Sequence, residues 1–386
     1  MEMGATGSEN VKQDLHAGYR LTMEVMPLFS EVAMVITSIY LPLYSYRLGA
    51  DEFVVGSIGA AQSITYIFIP FFAGLLSSRL GQRKMLCIGF MITSFTYAFY
   101  LSVPQPILFI PARVLEGFGW SFVWPTLEAR AGESLKSLRI FNVMWGAGST
   151  VAPYLGGILS QKASLAVTFS VSFSATVFSF LISLLMPRTG LKQEPTDRNS
   201  STGNVKVITS SLFFYGFLYG FMSLMIVTFF PIYCDVRNIT VENVGYALTM
   251  MNFGKVVAFL APVHSRNIFG RIGSTIIWAL VASLLPLLAI FDVAVEYLFI
   301  ALFLLGFSLG FMYSLILSDI MMKAGERKGY YAGLFESILG TGFFLGPFLG
   351  GMVASLAIRY VFMMPAIFTG SFLALKALDF LRSHAH

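Results

Sequence analysis

Gly146-Ala-Gly148-Ser-Thr-Val-Ala-Pro153-Tyr-Leu-Gly156-Gly157 and Gly340-Thr-Gly342-Phe-Phe-Leu-Gly346-Pro347-Phe-Leu-Gly350-Gly351 are one pattern written twice, 194 residues apart. Glycines four apart share a helix face and let backbones approach, while a proline inside the helix removes a donor and bends it. Each copy therefore predicts a bent, small-faced helix at a tight interface. The recurrence extends outward. Pro42-Leu-Tyr44 returns as Pro231-Ile-Tyr233, Val55-Gly56 as Val244-Gly245 and Gly81 as Gly270, all displaced by 189, and Ala131-Gly-Glu133 returns as Ala324-Gly-Glu326 at 193. A displacement that drifts this little, and only between helices, is the trace of a duplicated unit.

The unit is a membrane unit. Of the 386 residues 56% are hydrophobic and 12% charged, a balance no soluble core of this size requires. Runs long enough to cross about 30 Å of hydrocarbon, roughly 20 helical residues each, number twelve. They lie near 21–43, 54–76, 85–103, 106–129, 141–161, 164–186, 207–233, 244–264, 273–291, 295–319, 331–354 and 359–381. With the amino end inside, cytoplasmic segments hold 19 of the 25 lysines and arginines and outer loops hold 4. Both termini are thus expected in the cytoplasm of a cell-membrane protein. The expected division is a tail over 1–20, a six-helix bundle over 21–186, a polar linker over 187–206, a second bundle over 207–382 and a short tail over 383–386. The fold class is all-α integral membrane, with twelve transmembrane helices in two pseudo-symmetric six-helix bundles.

Other classes find no support. The basic residues sit in short loops without a stacking stripe, so the formal charge of +5 does not point to nucleic acid. The two cysteines, Cys87 and Cys234, fall near opposite membrane surfaces and are not expected to pair. There is no H-E-x-x-H and no G-x-x-x-x-G-K-[ST], and His16, His264, His384 and His386 lie in tails and a loop. Neither enzyme activity nor any cofactor or metal is expected.

Three motifs resemble those of the major facilitator superfamily. Gly74-Leu-Leu-Ser-Ser78-Arg79-Leu-Gly81-Gln82-Arg83-Lys84 resembles its loop between helices 2 and 3, G-x-L-A-D-R-x-G-R-R. Arg113-Val-Leu-Glu116-Gly117-Phe-Gly119 resembles the helix 4 motif R-x-x-Q-G-x-G of proton-coupled members. Gly148 to Gly157 resembles the helix 5 motif G-x-x-x-G-P-x-x-G-G of the drug:proton antiporter branch. The first motif departs from the family at Ser78 and Gln82, where an acid and a base are usual. The third has Ala152 for one glycine, the full pattern standing instead at Gly342 to Gly351. The resemblance implies the major facilitator fold. It also implies an inner gate from Gly74, Arg79, Gly81 and Arg83, with Glu128 as the carboxylate left for Arg79 and Arg83. Interface and bending positions would be Gly148, Pro153, Gly156 and Gly157 with Gly342, Gly346, Pro347, Gly350 and Gly351.

Charges inside apolar runs mark the rest. A charge at the centre of a spanning helix costs about 2.5–3.5 kcal/mol on insertion scales, so it needs a partner, a cavity or a role. Arg113 and Glu116, at i and i+3, can pair on their own helix, which casts Arg113 as the cation competing for carboxylates. Glu24 and Glu31 share a face of helix 1, about 10 Å apart, with Glu31 near the bilayer centre. Loss of water favours a neutral carboxyl and a nearby cation favours the ionised one, which is the physical requirement for proton coupling. Lys255 in helix 8 and Glu336 in helix 11 either pair within the second bundle or face the cavity. Asp319 is expected at the interface, and Lys376 and Asp379 are expected to snorkel. Aromatics such as Trp120, Trp124, Trp145, Tyr215 and Tyr219 suit a cavity for lipophilic or cationic molecules.

The expected protein moves a small organic solute by alternating access, proton-coupled, as a monomer in the bilayer, with efflux slightly favoured. Uptake by symport is the alternative, and a non-transporting sensor on the same fold is a third reading.

Overall fold

Residues 5–68, 81–131, 134–186, 210–260, 270–291, 293–323 and 328–384 are described by a computed structural model. The expected linker over 187–206 and the gate residues Gly74 and Arg79 lie outside them. Within them twelve α-helices succeed one another: α1 (Ala5–Arg47), α2 (Glu52–Phe68), α3 (Gln82–Ser102), α4 (Pro106–Ala131), α5 (Leu135–Lys162), α6 (Leu165–Leu185), α7 (Ser210–Val236), α8 (Val241–Leu260), α9 (Gly270–Leu284), α10 (Val295–Lys323), α11 (Lys328–Ala354) and α12 (Met364–His384). Helix α1 begins well before its apolar run, because a helix that leaves hydrocarbon has no need to stop. Helix α9 passes into a 3₁₀ segment over Leu285–Ile290 at Pro286, and a second 3₁₀ segment, Ile358–Met363, leads into α12.

Eight of the described helices are long and apolar enough to cross a membrane. Helices α2, α5, α8 and α9 fall outside that set, and three of these four line the seam between the bundles. Helix α1 packs on α5 and α6, α2 on α4, and α3 on α4 and α6. The second half repeats this with α7 on α11 and α12, α8 on α10, and α9 on α10 and α12. The halves meet where α2 lies on α11, α5 on α8 and α1 on α7. A helix that faces protein along much of its surface needs small residues for close approach more than it needs apolar surplus.

The repeat read from the sequence recurs as paired contacts. A Cβ on Gly56 would stand 2.5 Å from the Pro347 carbonyl oxygen, and one on Gly245 would stand 2.6 Å from that of Pro153. Gly157 meets the backbone of Gly245 as Gly351 meets that of Gly56. Within the bundles, Gly148 abuts the Leu28 carbonyl as Gly342 abuts that of Phe217, and Gly156 receives the ring of Tyr40 as Gly350 receives that of Phe229. Tyr40 adds a hydrogen bond, its hydroxyl donating to the Pro153 oxygen at 2.6 Å. Toward the face where α1 ends, the distal face, Arg47 donates through two nitrogens to Asp235 Oδ1 of α7, at 2.6 and 3.0 Å. Tyr154 lies against Tyr246 there as well, with ring centroids 5.6 Å apart. The bundles are thus closed on one another at the distal face.

The first bundle also encloses a charge pair. Arg113 and Glu116 of α4 are 1% and 0% exposed and joined at 2.8 Å. Glu116 further accepts from the hydroxyls of Tyr100 (2.8 Å) and Tyr97 (3.0 Å) on α3, and Trp120 Nε1 donates to Tyr97. Arg113 reaches across to Ser38 of α1 at 3.3 Å. With this many donors the carboxylate is satisfied in place, and the network ties α1, α3 and α4 together.

Two stability outcomes follow. Removing one partner of a buried pair strands the other and costs about 3–5 kcal/mol, whereas an apolar replacement of both can be neutral. Glu116→Leu should therefore lower the melting temperature of the purified protein in detergent, and adding Arg113→Met should restore part of it; additive losses would contradict the pairing. In an ordinary helix Gly→Ala gains about 1 kcal/mol. Gly370→Ala, with open space around it, should raise the melting temperature, and Gly245→Ala, facing a carbonyl oxygen, should lower it.

Candidate functional site

A second buried charge, separate from the α4 network, lies between the bundles. Glu31 of α1 is 4% exposed, and its Oε2 has no hydrogen-bond partner. Its seat is made by Gly148, where a Cβ would come within 2.9 Å of the Glu31 Cβ. The glycine of the α5 pattern thus brings α1 close enough for the carboxyl to emerge at the seam. The Trp145 indole, one turn earlier on α5, lies beside the carboxyl, and the cation acting on it is Lys255 of α8.

Lys255 is held from both sides. Its backbone lies against Gly310 of α10, where a Cβ would be 2.8 Å from the Lys255 oxygen. One turn before it, Asn252 donates to the Ser149 carbonyl of α5 at 2.7 Å, a hydrogen bond between bundles. Lys255 takes its electrostatic partner from the other bundle, Glu31, rather than from Glu336. The two groups are within electrostatic reach but form no ion pair within 4 Å among the described residues.

Tyrosines continue the site into the second bundle. Tyr219 of α7 feels both Glu31 and Glu336. Its ring lies 5.1 Å from that of Tyr313 on α10, which in turn meets Phe259 at 5.9 Å and Phe335 at 5.5 Å. Glu336 on α11 is half-buried and acts on both tyrosines and on Glu128. Charges of both signs and a tyrosine pair therefore face one another across the seam.

The other expected residues separate from this group. The structure does not bring Arg113 to Glu31: its charge is taken up by Glu116, and its contact on α1 is Ser38, seven residues or about 10 Å further along. Glu24 lies half-buried the same distance the other way. Arg83 makes no ion pair with Glu128 among the described residues; Glu128 is exposed at the end of α4, and the charge acting on it is Glu336. Gly81 has φ +77, a conformation that favours glycine, at the turn into α3. Gly346 abuts the Phe221 backbone of α7. The Lys376 ammonium lies over the Phe372 ring, 5.7 Å from its centroid. Cys87 and Cys234 are both free. Tyr97, Tyr100 and Tyr313 join the charged groups without having been marked by any motif. Tyrosines one turn apart deep in an apolar run, as at 97 and 100, are a signal for a buried acceptor, since each hydroxyl needs a partner.

Comparison with known proteins gives this geometry a context. The sequence is 26% identical over 211 residues to the MFS-type transporter ppzB of Metarhizium rileyi, covering 48% of this chain and 43% of that one. It is 22% identical over 172 residues to the quinolone resistance protein NorA of Staphylococcus aureus, covering 43% and 44%. The matched stretches thus span less than half the length of either relative. In three dimensions the nucleoside transporter NupG superposes with a TM-score of 0.80 at 13% identity, over 92% of this chain and 99% of that one, which is a likeness of fold. The sequence pattern of the Major Facilitator Superfamily runs through residues 26–335, and the chain accordingly belongs to that family of multi-pass membrane proteins.

Proposed function

We propose that this transporter is proton-coupled, that Glu31 carries the proton, and that it works in the export direction on small organic solutes. The reading rests on one observation, the Glu31 carboxyl enclosed at the bundle seam with an unpartnered oxygen. A carboxylate there is tolerated only when a counter-charge faces it; otherwise it takes a proton. Lys255 supplies part of that counter-charge, and a substrate cation would supply more. Binding of substrate and binding of a proton therefore oppose one another at a single group, which is the condition for exchange.

The glycine and proline pattern of α5 and α11, which resembles that of antiporters, supports export, as does the likeness to a quinolone resistance protein. The driving force suffices, since one charge moved through 100 mV is worth about 2.3 kcal/mol, roughly a fiftyfold gradient. Alternating access would open the distal face by parting Arg47 from Asp235 and the α2–α11 and α5–α8 glycine contacts. In this reading the inner gate forms around Gly81, Arg83 and Glu128 with Gly74 and Arg79. The protein works as a monomer in the cell membrane, with both termini in the cytoplasm on account of the basic loops.

In proteoliposomes, Glu31→Gln should abolish pH-driven substrate movement and weaken substrate binding; pH dependence equal to that of the unaltered protein would sink the proposal. An imposed gradient also fixes direction, because a symporter accumulates substrate along the inward proton gradient where an exporter expels it.

A further inference from the structure

We infer that the seam between the bundles is a binding site for aromatic zwitterions, with Glu31 receiving a substrate ammonium, Lys255 receiving a substrate carboxylate, and Tyr219 and Tyr313 receiving the flat body. The inference deepens the function proposed above and rests on the same site, but its subject is which molecules the site selects. A purely cationic substrate would be served by carboxylates and aromatics alone. Here a lysine has been placed next to the principal carboxylate, from the opposite bundle, at the cost of burying one more charge.

Three observations fix the arrangement. Glu31 and Lys255 form no ion pair within 4 Å among the described residues, and Glu31 Oε2 is buried without a hydrogen-bond partner among them, so the carboxyl has bonding capacity that Lys255 does not fill. Both are seated at glycines, Glu31 with its Cβ and Cγ against Gly148 and Lys255 with its backbone against Gly310. The aromatic surface lies on the second-bundle side, where Tyr219 and Tyr313 are 5.1 Å apart and Phe259 follows Lys255 by one turn. A single-charge ligand leaves either the ammonium of Lys255 or the carboxylate of Glu31 buried without its complement. A ligand bearing both charges satisfies both with charge-assisted hydrogen bonds, the strong kind in a water-poor site. The rejection of the wrong ligand thus comes from an unpaired buried group, which discriminates more sharply than apolar fit does.

The test uses matched ligand sets on the purified full chain in detergent at neutral pH, with binding measured calorimetrically. One set is tryptophan, tryptamine and indole-3-propionate; another is phenylalanine, phenethylamine and 3-phenylpropionate. The zwitterion of a set should bind about tenfold or more tightly than its amine and its acid. Lys255→Met should abolish the preference for the zwitterion over the amine, and Lys255→Arg should keep it. Amine binding equal to or tighter than zwitterion binding in the unaltered protein overturns the inference. So does a zwitterion advantage that survives Lys255→Met, or the absence of zwitterion binding in both sets. The ligand series on the unaltered protein does not depend on any variant folding. Binding needs no gradient, so a failure of proton coupling in proteoliposomes and a failure of ligand preference are separate results.

Discussion

Everything else in this molecule depends on how closely α2 approaches α11 and α5 approaches α8. At these crossings Gly56 faces the Pro347 oxygen and Gly245 faces the Pro153 oxygen at 2.5–2.6 Å from where a Cβ would stand. Backbone meets backbone, with the Tyr40 hydroxyl beside the α5–α8 crossing. In a membrane no hydrophobic force pulls helices together, since lipid is as apolar as leucine, and contact has to come from dispersion across surfaces that fit. Glycine provides that fit. Because the same contact occurs twice by symmetry, the two crossings are matched, and the space between them is where Glu31 and Lys255 emerge. A shift at either crossing would move α1 through Gly148 or α8 through Asn252 and Ser149, and with them the charges.

Two buried charge systems therefore have different characters. The Arg113–Glu116 network centres on a fully met carboxylate: two tyrosines, an arginine and a nearby indole surround Glu116 inside one bundle. Nothing in it spans the seam, so rocking of the bundles leaves it whole, and it serves as a rigid tie among α1, α3 and α4. The Glu31–Lys255 system is incomplete and divided between bundles. It is made or unmade by the relative position of the halves, and a two-state element whose two sides belong to different rigid bodies is what couples a ligand to a global motion.

The architecture is legible in the sequence because its cause is repetitive. Glycines and prolines recur at 189 to 194 residues since each copy must make the same close approach, and the paired contacts at Leu28 and Phe217 or Tyr40 and Phe229 occupy corresponding positions. The candidate site is half legible. A lone charge in an apolar run stands out, so Glu31, Arg113, Lys255 and Glu336 are all visible. Their partners are not, because Glu31 and Lys255 lie on helices of different bundles and no local spacing relates them. The expectation that Arg113 addresses the carboxylates of α1 fails for the same reason: helix periodicity gives the face of a residue along its own axis, not which neighbour turns toward it. Tyr97 and Tyr100 signal a buried acceptor, since two hydroxyls one turn apart in an apolar run each need a partner, but the sequence does not say which group that acceptor is.

Charge accounting then connects the site to its energy source under the proposed roles. With Glu31 ionised and Lys255 protonated the central pair carries no net charge, and a zwitterion placed between them adds none. With Glu31 neutralised by a proton, the Lys255 charge is uncompensated, and the pair carries one positive charge. Of the states that must cross as the bundles rock, the protonated one alone is pushed by the membrane potential, at about 2.3 kcal/mol per 100 mV for a full traverse. The potential would then act on the proton-carrying half of the cycle and leave the substrate-carrying half nearly indifferent to voltage. A monovalent cation in the same place would reverse this, carrying its own charge through the field and making both halves equal. Lys255 is therefore the residue that decides which half of the cycle the membrane potential drives.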